Sequence, residues 1–198
     1  MGSLTLKQFR APLLEPIDLH LRAGECQTLS GPSGSGKTRL LRALADLDPA
    51  QGEVSLNDQE RSTFSSPQWR RKVGLLLAES GWWLERVGDH FKQPELELFE
   101  RLELPREAID WEVGRLSSGE RQRLSLIRLL SNQPQVLLLD EATANLDQAN
   151  TAKVEALIAD WRKQHQVAVL WVTHDPQQRK RVSDRSWLIE SGRLRETS

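Results

Sequence analysis

Eight residues limit the fold of this chain more than any others: Gly31-Pro32-Ser33-Gly34-Ser35-Gly36-Lys37-Thr38, matching the pattern G-x-x-x-x-G-K-[ST]. The pattern works only between a strand and a helix, because its glycines turn successive backbone N–H groups into one concavity that an anion can fill. The flanking sequence supplies both, Cys26 to Ser30 as a strand and Arg39 to Ala45 as a helix whose N-terminus faces the loop. Lys37 adds a point charge for the outer phosphates of a nucleotide, and the Thr38 hydroxyl is a magnesium ligand by its oxygen chemistry.

A second stretch, Val136-Leu137-Leu138-Leu139-Asp140-Glu141, gives the loop its partner. Four apolar residues after Pro134 suit a strand buried on both faces of a parallel sheet, and Asp140 leaves it at the carboxyl end, where open α/β sheets place ligands. Asp140 is expected to hold Mg²⁺ through water. Glu141 is expected nearer the γ-phosphate, orienting or deprotonating the attacking water. Together the two stretches describe a nucleoside triphosphatase.

At 198 residues, the length fits one domain. With 27 basic and 28 acidic side chains, a net charge of -1 gives no electrostatic case for a nucleic-acid partner. The single cysteine, Cys26, excludes an internal disulfide and suits a reducing compartment. Neither a signal peptide nor a spanning apolar run is read, so the chain is expected to be soluble, without direct membrane insertion. Of seven tryptophans, Trp161 and Trp171 read as core. Trp82-Trp83 reads either as packing or as an exposed anchor.

Strands are expected over 4–9, 17–21, 53–56, 73–78, 136–139, 167–173 and 186–189, alternating with helices. Between 79 and 117 the pattern becomes helical, with an amphipathic helix over 94–102 and a short one starting at Pro105. The expected fold is therefore α/β: a P-loop NTPase, RecA-like core with a mainly parallel sheet, N-terminal antiparallel strands and a short helical subdomain. One domain covers 1–198, with 79–117 inserted into a core of 1–78 plus 118–198.

Leu116-Ser117-Ser118-Gly119-Glu120-Arg121-Gln122 precedes a helical run and provides an N-cap with exposed N–H groups. It resembles the L-S-G-G-Q signature of ATP-binding cassette ATPases, with mild departures at Ser118 and Glu120. Ala144-Asn145-Leu146-Asp147 resembles the S-A-L-D loop of that family, and His174 its switch histidine. The spacing agrees: Ser117 lies 23 residues before Asp140, and His174 lies 34 after it.

This resemblance implies ATP and Mg²⁺ as cofactors, and a head-to-tail pair in which the phosphate loop of one subunit and Ser117, Ser118, Gly119 and Glu120 of the other close on one ATP. His174 would bond the γ-phosphate and hold Glu141 in line, Asp147 would couple the two sites, and an aromatic near the first strands, here Phe9, would stack on adenine. It implies an ATPase subunit of a transporter, a homodimer bound to integral membrane permease subunits on the cytoplasmic face of a membrane. Ser125 to Leu130 and Val169 to Asp175 look similar to bacterial ATPases of iron export. The alternative is a soluble single-cassette ATPase of an assembly system, such as iron–sulfur cluster building.

Two departures stand out. The family ends the Val73 strand with a glutamine that touches Mg²⁺, where this chain has Ala78; either Glu79 or a water substitutes, or coupling runs differently, and Glu79 is expected to take over the metal contact in the closed dimer. The insertion is also compact, placing Ser117 39 residues after Ala78.

Overall fold

A computed structural model describes residues 2–197. The chain forms β1 (Leu4–Arg10), β2 (Ile17–Leu21), β3 (Cys26–Ser30), α1 (Lys37–Leu44), β4 (Gln51–Leu56), β5 (Gln59–Glu60), α2 (Ser66–Lys72) and β6 (Val73–Leu76). It continues with α3 (Leu96–Arg101), α4 (Ser118–Leu130), β7 (Val136–Asp140), α5 (Gln148–His165), β8 (Ala168–Val172), α6 (Pro176–Val182), β9 (Arg185–Glu190) and β10 (Arg193–Thr197). The larger sheet has the order β10-β9-β3-β8-β7-β6. Every pair in it is parallel except the β9–β10 hairpin at its edge. The smaller sheet, β2-β1-β4-β5, is antiparallel throughout.

Strand geometry explains the two cores. Successive side chains of β7 and β8 point to opposite faces, and both faces are covered. Leu137, Leu139, Val169 and Trp171 pack with Leu124, Ile127, Val154 and Ile158 of α4 and α5. Val136, Leu138, Leu170 and Val172 pack with Leu40 and Leu41 of α1 and with Leu4, Leu6 and Leu21 of the smaller sheet. Each such leucine or valine taken out of water contributes about 1.5–3 kcal/mol, which fixes β7 between layers and points its end at one edge.

The 79–117 segment holds one short α-helix, α3, and three 3-10 turns at 88–90, 106–110 and 113–115. Its Val87, Phe99, Leu102 and Ala108 share a core with Leu124, Leu139 and Trp171 rather than enclosing one of their own. The strand expected over 73–78 stops at Leu76, and the helix expected over 94–102 is Leu96–Arg101. Beyond the two-residue β5, the elements α2 and β10 lie outside the expected set, although the sequence carries a signal for each. Ser65 and Gln68 form a capping box that starts α2. Ser191 and Gly192, both with positive φ, make the tight turn into β10.

Candidate active site

The loop of residues 31–38 joins β3 to α1, and its glycines are required by geometry. Gly34 and Gly36 take φ of 77° and 103°, and a Cβ on Gly31 would lie 2.5 Å from the Ile189 carbonyl oxygen. Gly36 caps α1 with no side-chain bond, so the first N–H groups of the helix stay open. Among the described residues, the N–H groups of Gly34, Gly36 and Lys37 find no acceptor in the chain, and the Ser35 hydroxyl is shielded without a partner. Pro32 and Ser33 are exposed at the rim. Lys37 is 6% exposed and folds back to donate to the Gly31 and Pro32 carbonyl oxygens, both at 2.8 Å. Burial lowers its pKa from the ordinary lysine value, against the opposing pull of Glu141 and Asp140.

Sheet order brings the carboxylates to this loop. The Thr38 hydroxyl donates to Asp140 Oδ2 at 2.6 Å. Asp140 is 5% exposed, and burial raises its pKa above the usual carboxylate range despite the Thr38 bond. Asp140 pairs in register with Val172 of the neighbouring strand, and the Glu141 N–H bonds the Val172 carbonyl oxygen at 3.0 Å. The residues that follow β7 and β8 therefore meet. Glu141 Oε1 lies 2.8 Å from His174 Nε2, with Glu141 in the left-handed region at φ 50°. For a residue with a Cβ this conformation stores strain of the kind found at functional sites.

Ser117 caps α4. Glu120 Oε2 accepts from the Ser117 N–H and hydroxyl at 2.9 and 2.8 Å, and its carboxyl is held below the usual range by those bonds. Ser118 is exposed beside them. Gly119 lies against the following loop, where an added Cβ would be 3.4 Å from the Asn145 carbonyl oxygen. Asp147 caps α5 through the Asn150 N–H at 2.7 Å. None of Ser117, Ser118, Gly119, Glu120 or Asp147 bonds to residues 31–38 among the described residues.

Two expected ligands are not brought to the site. Phe9 is 3% exposed and packed within the core of the smaller sheet, so it has no free face for a base. The exposed apolar residue beside the loop is instead Leu13, 62% exposed, whose neighbour Leu14 packs against Gly36. Glu79 is exposed past the end of β6 and makes no hydrogen bond or ion pair with Thr38 or Asp140. Because β6 ends at Leu76, the chain has already turned away where Glu79 stands.

One residue of the site has no motif to announce it. Gln178 of α6 is 2% exposed, and its Nε2 donates to Thr143 Oγ1 at 2.8 Å and Glu155 Oε1 at 2.9 Å. It pins the turn that carries Glu141. A glutamine four residues past His174 was the only trace in the sequence.

The ABC transporter family model matches residues 14–144, which spans the loop, the α4 cap and the Asp140–Glu141 pair. The chain belongs to the ABC transporter family, as its ATP-binding ATPase part. It is 36% identical over 178 residues to the Escherichia coli (strain K12) protein named "Probable iron export ATP-binding protein FetA", covering 83% of this chain and 79% of that one. It is 31% identical over 218 residues to "Phosphate import ATP-binding protein PstB" of Aeropyrum pernix, covering 92% and 82%. Among solved structures, "Structure of a bacterial Atm1-family ABC exporter with ATP bound" superposes with a TM-score of 0.86 at 22% identity. That match covers 98% of this cassette but 38% of the exporter chain, and it shows the fold alone. No helix among the described residues is long and apolar enough to cross a membrane.

Proposed function

We propose that this cassette hydrolyses ATP as one half of a head-to-tail pair and drives transport through separate membrane subunits. The observation that carries the proposal is the half-built site. Residues 31–38, Asp140, Glu141 and His174 converge on one edge, while the Ser117 helix end and Asp147 contact none of the loop. A second copy, turned about a two-fold axis, would bring its Ser117 end over the loop of the first.

In that pair, the open N–H groups and Lys37 would cradle the phosphates, Lys37 exchanging its own loop carbonyls for phosphate oxygens. Glu141 would orient the attacking water and take its proton, with His174 holding the carboxylate in line. Thr38 and Asp140 are the residues that would hold Mg²⁺. Their oxygens suit that ion, and no cluster of three His, Cys, Asp or Glu side chains among the described residues could hold a metal alone, so the remaining ligands would come from phosphate and water. Bound there, the ion would neutralise charge on the phosphates. The role of Glu79 as a further ligand would require movement on closure. In place of Phe9, Leu13 is the surface on which adenine would lie.

Transport, rather than the alternative role in soluble assembly, is favoured by the surface between α4 and the 79–117 segment. Trp83 is 72% exposed there beside Leu84 at 42%, an aromatic anchor of the type that dominates interfaces. The 79–117 segment would thus be the docking part of a single ATPase domain on the cytoplasmic face of the membrane. Relatives at 36% identity are named for iron export and for aliphatic sulfonate import, and one at 31% for phosphate import; a metal such as iron is the cargo we propose, and identity alone does not choose it.

The Glu141→Gln variant tests the catalytic half. It should bind ATP, dimerise stably and hydrolyse about 10²–10⁴-fold more slowly. A variant that stays monomeric with ATP bound, or that keeps its turnover, would refute the paired site. Iron accumulation unchanged in cells lacking the protein would remove the cargo.

A further inference from the structure

Arg179 is the arginine that the local ion pairs leave out. On α6, β9 and the neighbouring α5, Arg162 pairs with Asp184, Arg181 with Glu155 and Arg185 with Glu196. Arg179 has no carboxylate among the described residues. Its Nη1 donates to the Ser30 hydroxyl at 2.8 Å, and its Nε is shielded without an acceptor. Ser30 immediately precedes the phosphate loop, so the guanidinium is fixed at the loop's base. It lines a cavity of about 920 Å³ whose other walls include Gly31, Pro32, His174, Ser183 and Ser186. The cavity's own carboxylates, Asp184 and Glu196, are already paired with Arg162 and Arg185, and a half-buried guanidinium left over at such an edge is a site for an anion.

A carboxylate of matching status lies in the same chain. Asp147 is exposed, its two oxygens accept from the Asn150 N–H and side-chain amide, and it makes no ion pair among the described residues, Lys153 nearby being paired with Glu103. It travels with the Ser117 helix end as one body. Arg123 of α4 bonds both the Gly119 carbonyl oxygen at 3.3 Å and Asn150 Oδ1 at 3.1 Å, and a Cβ added to Gly119 would lie 3.4 Å from both the Asn145 carbonyl oxygen and the Leu146 side chain. Whatever places the partner's Ser117 over the loop must therefore carry the partner's Asp147 to the same edge.

From these positions we infer that Arg179 forms a cross-subunit ion pair with Asp147 of a second copy, seated in the cavity beside Gly31 and His174. The inference rests on the paired-site proposal above and adds a charge contact that sets the register of the two subunits. Arg179 is a positioning residue in it. Its guanidinium holds the partner at the base of the loop. Two such pairs, one at each half-site, would tie the loop of each subunit to the partner's α5.

A double-mutant cycle tests it in the Glu141→Gln background, reading the dissociation constant of the ATP-dependent dimer by sedimentation. Asp147→Asn keeps the cap of α5, since asparagine caps helices as well as aspartate. Arg179→Gln and Asp147→Asn should each weaken the dimer by about tenfold or more, and the double variant should be no weaker than the poorer single. ATP binding to the separated monomers should stay within error of the parent; the melting temperature should be unchanged in Asp147→Asn and fall by no more than about 4–8 °C in Arg179→Gln, which gives up the Ser30 bond. If the parent dimerises but the two substitutions multiply as independent effects, or leave the dimer unweakened, the ion pair does not exist. A parent that fails to dimerise overturns the paired site and this contact together.

Discussion

The Thr38 hydroxyl donates to Asp140 Oδ2 at 2.6 Å, joining the first turn of α1 to the end of β7 across 102 positions of sequence. That bond leaves a carboxylate almost wholly buried with one neutral donor, and burial raises its pKa. A raised pKa means that the folded chain prefers the protonated form. The favourable contribution is full below the ordinary carboxylate range and is lost as pH rises through the folded value. Asp140→Asn, neutral at every pH, should therefore raise Tm by roughly 2–4 °C at pH 7. Melts at decreasing pH should show the gain shrinking to nothing in acid. Hydrolysis should fall with the substitution, because Asn is a poor ligand for a divalent cation.

Much of the site was legible in the sequence, and what was hidden has physical causes. The phosphate loop and β7 are short, strongly patterned stretches whose chemistry demands their residue types, so β3, α1 and the Thr38–Asp140 contact follow from them. Phe9 is the aromatic nearest the first strands, and it is turned inward by an irregularity in β1. Its register shifts between Leu6 and Phe9, with Gln8 at φ 48°, and one extra residue moves the following side chain to the opposite face. Alternation from Leu4 and Leu6 would have put Phe9 outward. Glu79 misled for a related reason, since nothing in Leu75-Leu76-Leu77-Ala78 says that pairing with β7 ends at Leu76.

Leu13 and Phe9 should separate binding from stability. Phe9→Ala opens a cavity in a packed core and should cost about 3–5 kcal/mol. Leu13→Ala removes an exposed side chain and should leave the melt unchanged while weakening a fluorescent ATP analogue by about 3–10-fold, a loss of about 1 kcal/mol. Leu13→Tyr should strengthen it by offering a ring. Equal affinities for all three would place the base elsewhere.

The adjacent tryptophans should behave as different residues. Trp82 Nε1 donates to Ser125 Oγ at 3.1 Å, and the Arg128 guanidinium stacks 4.4 Å from its ring, so it is part of the packing under α4. Trp82→Ala should lower stability by about 2 kcal/mol. Trp83 meets the edge of His90 at 4.8 Å and the Arg128 guanidinium 5.1 Å from its ring centre, yet remains 72% exposed. Trp83→Ala should change stability by less than about 0.5 kcal/mol and spare basal ATPase, yet reduce capture of the membrane subunit in a pull-down. Capture that survives Trp83→Ala would count against the docking surface.

Gln178 gives a test of how the turn after Glu141 is held. Among the described residues its amide nitrogen is the one side-chain group of α6 that bonds the Thr143 hydroxyl, and it shares Glu155 with Arg181 of the same helix, whose Nε and Nη2 donate to that carboxylate at 3.0 and 2.8 Å. Thr143 stands two residues after Glu141, whose backbone is already in a strained conformation that its surroundings must enforce. Gln178→Ala leaves the Thr143 hydroxyl and a half-buried carboxylate oxygen short of a partner, at about 1–3 kcal/mol of stability. Freed of that link, the turn should hold Glu141 less closely against His174, and misplacement of a catalytic group by an ångström is enough to slow proton transfer. The phosphate loop touches none of these atoms. The expected outcome in steady-state kinetics is therefore a kcat lowered about 10-fold with the KM for ATP unchanged, and a rise in KM instead would show that Gln178 acts on the nucleotide pocket and not on the turn.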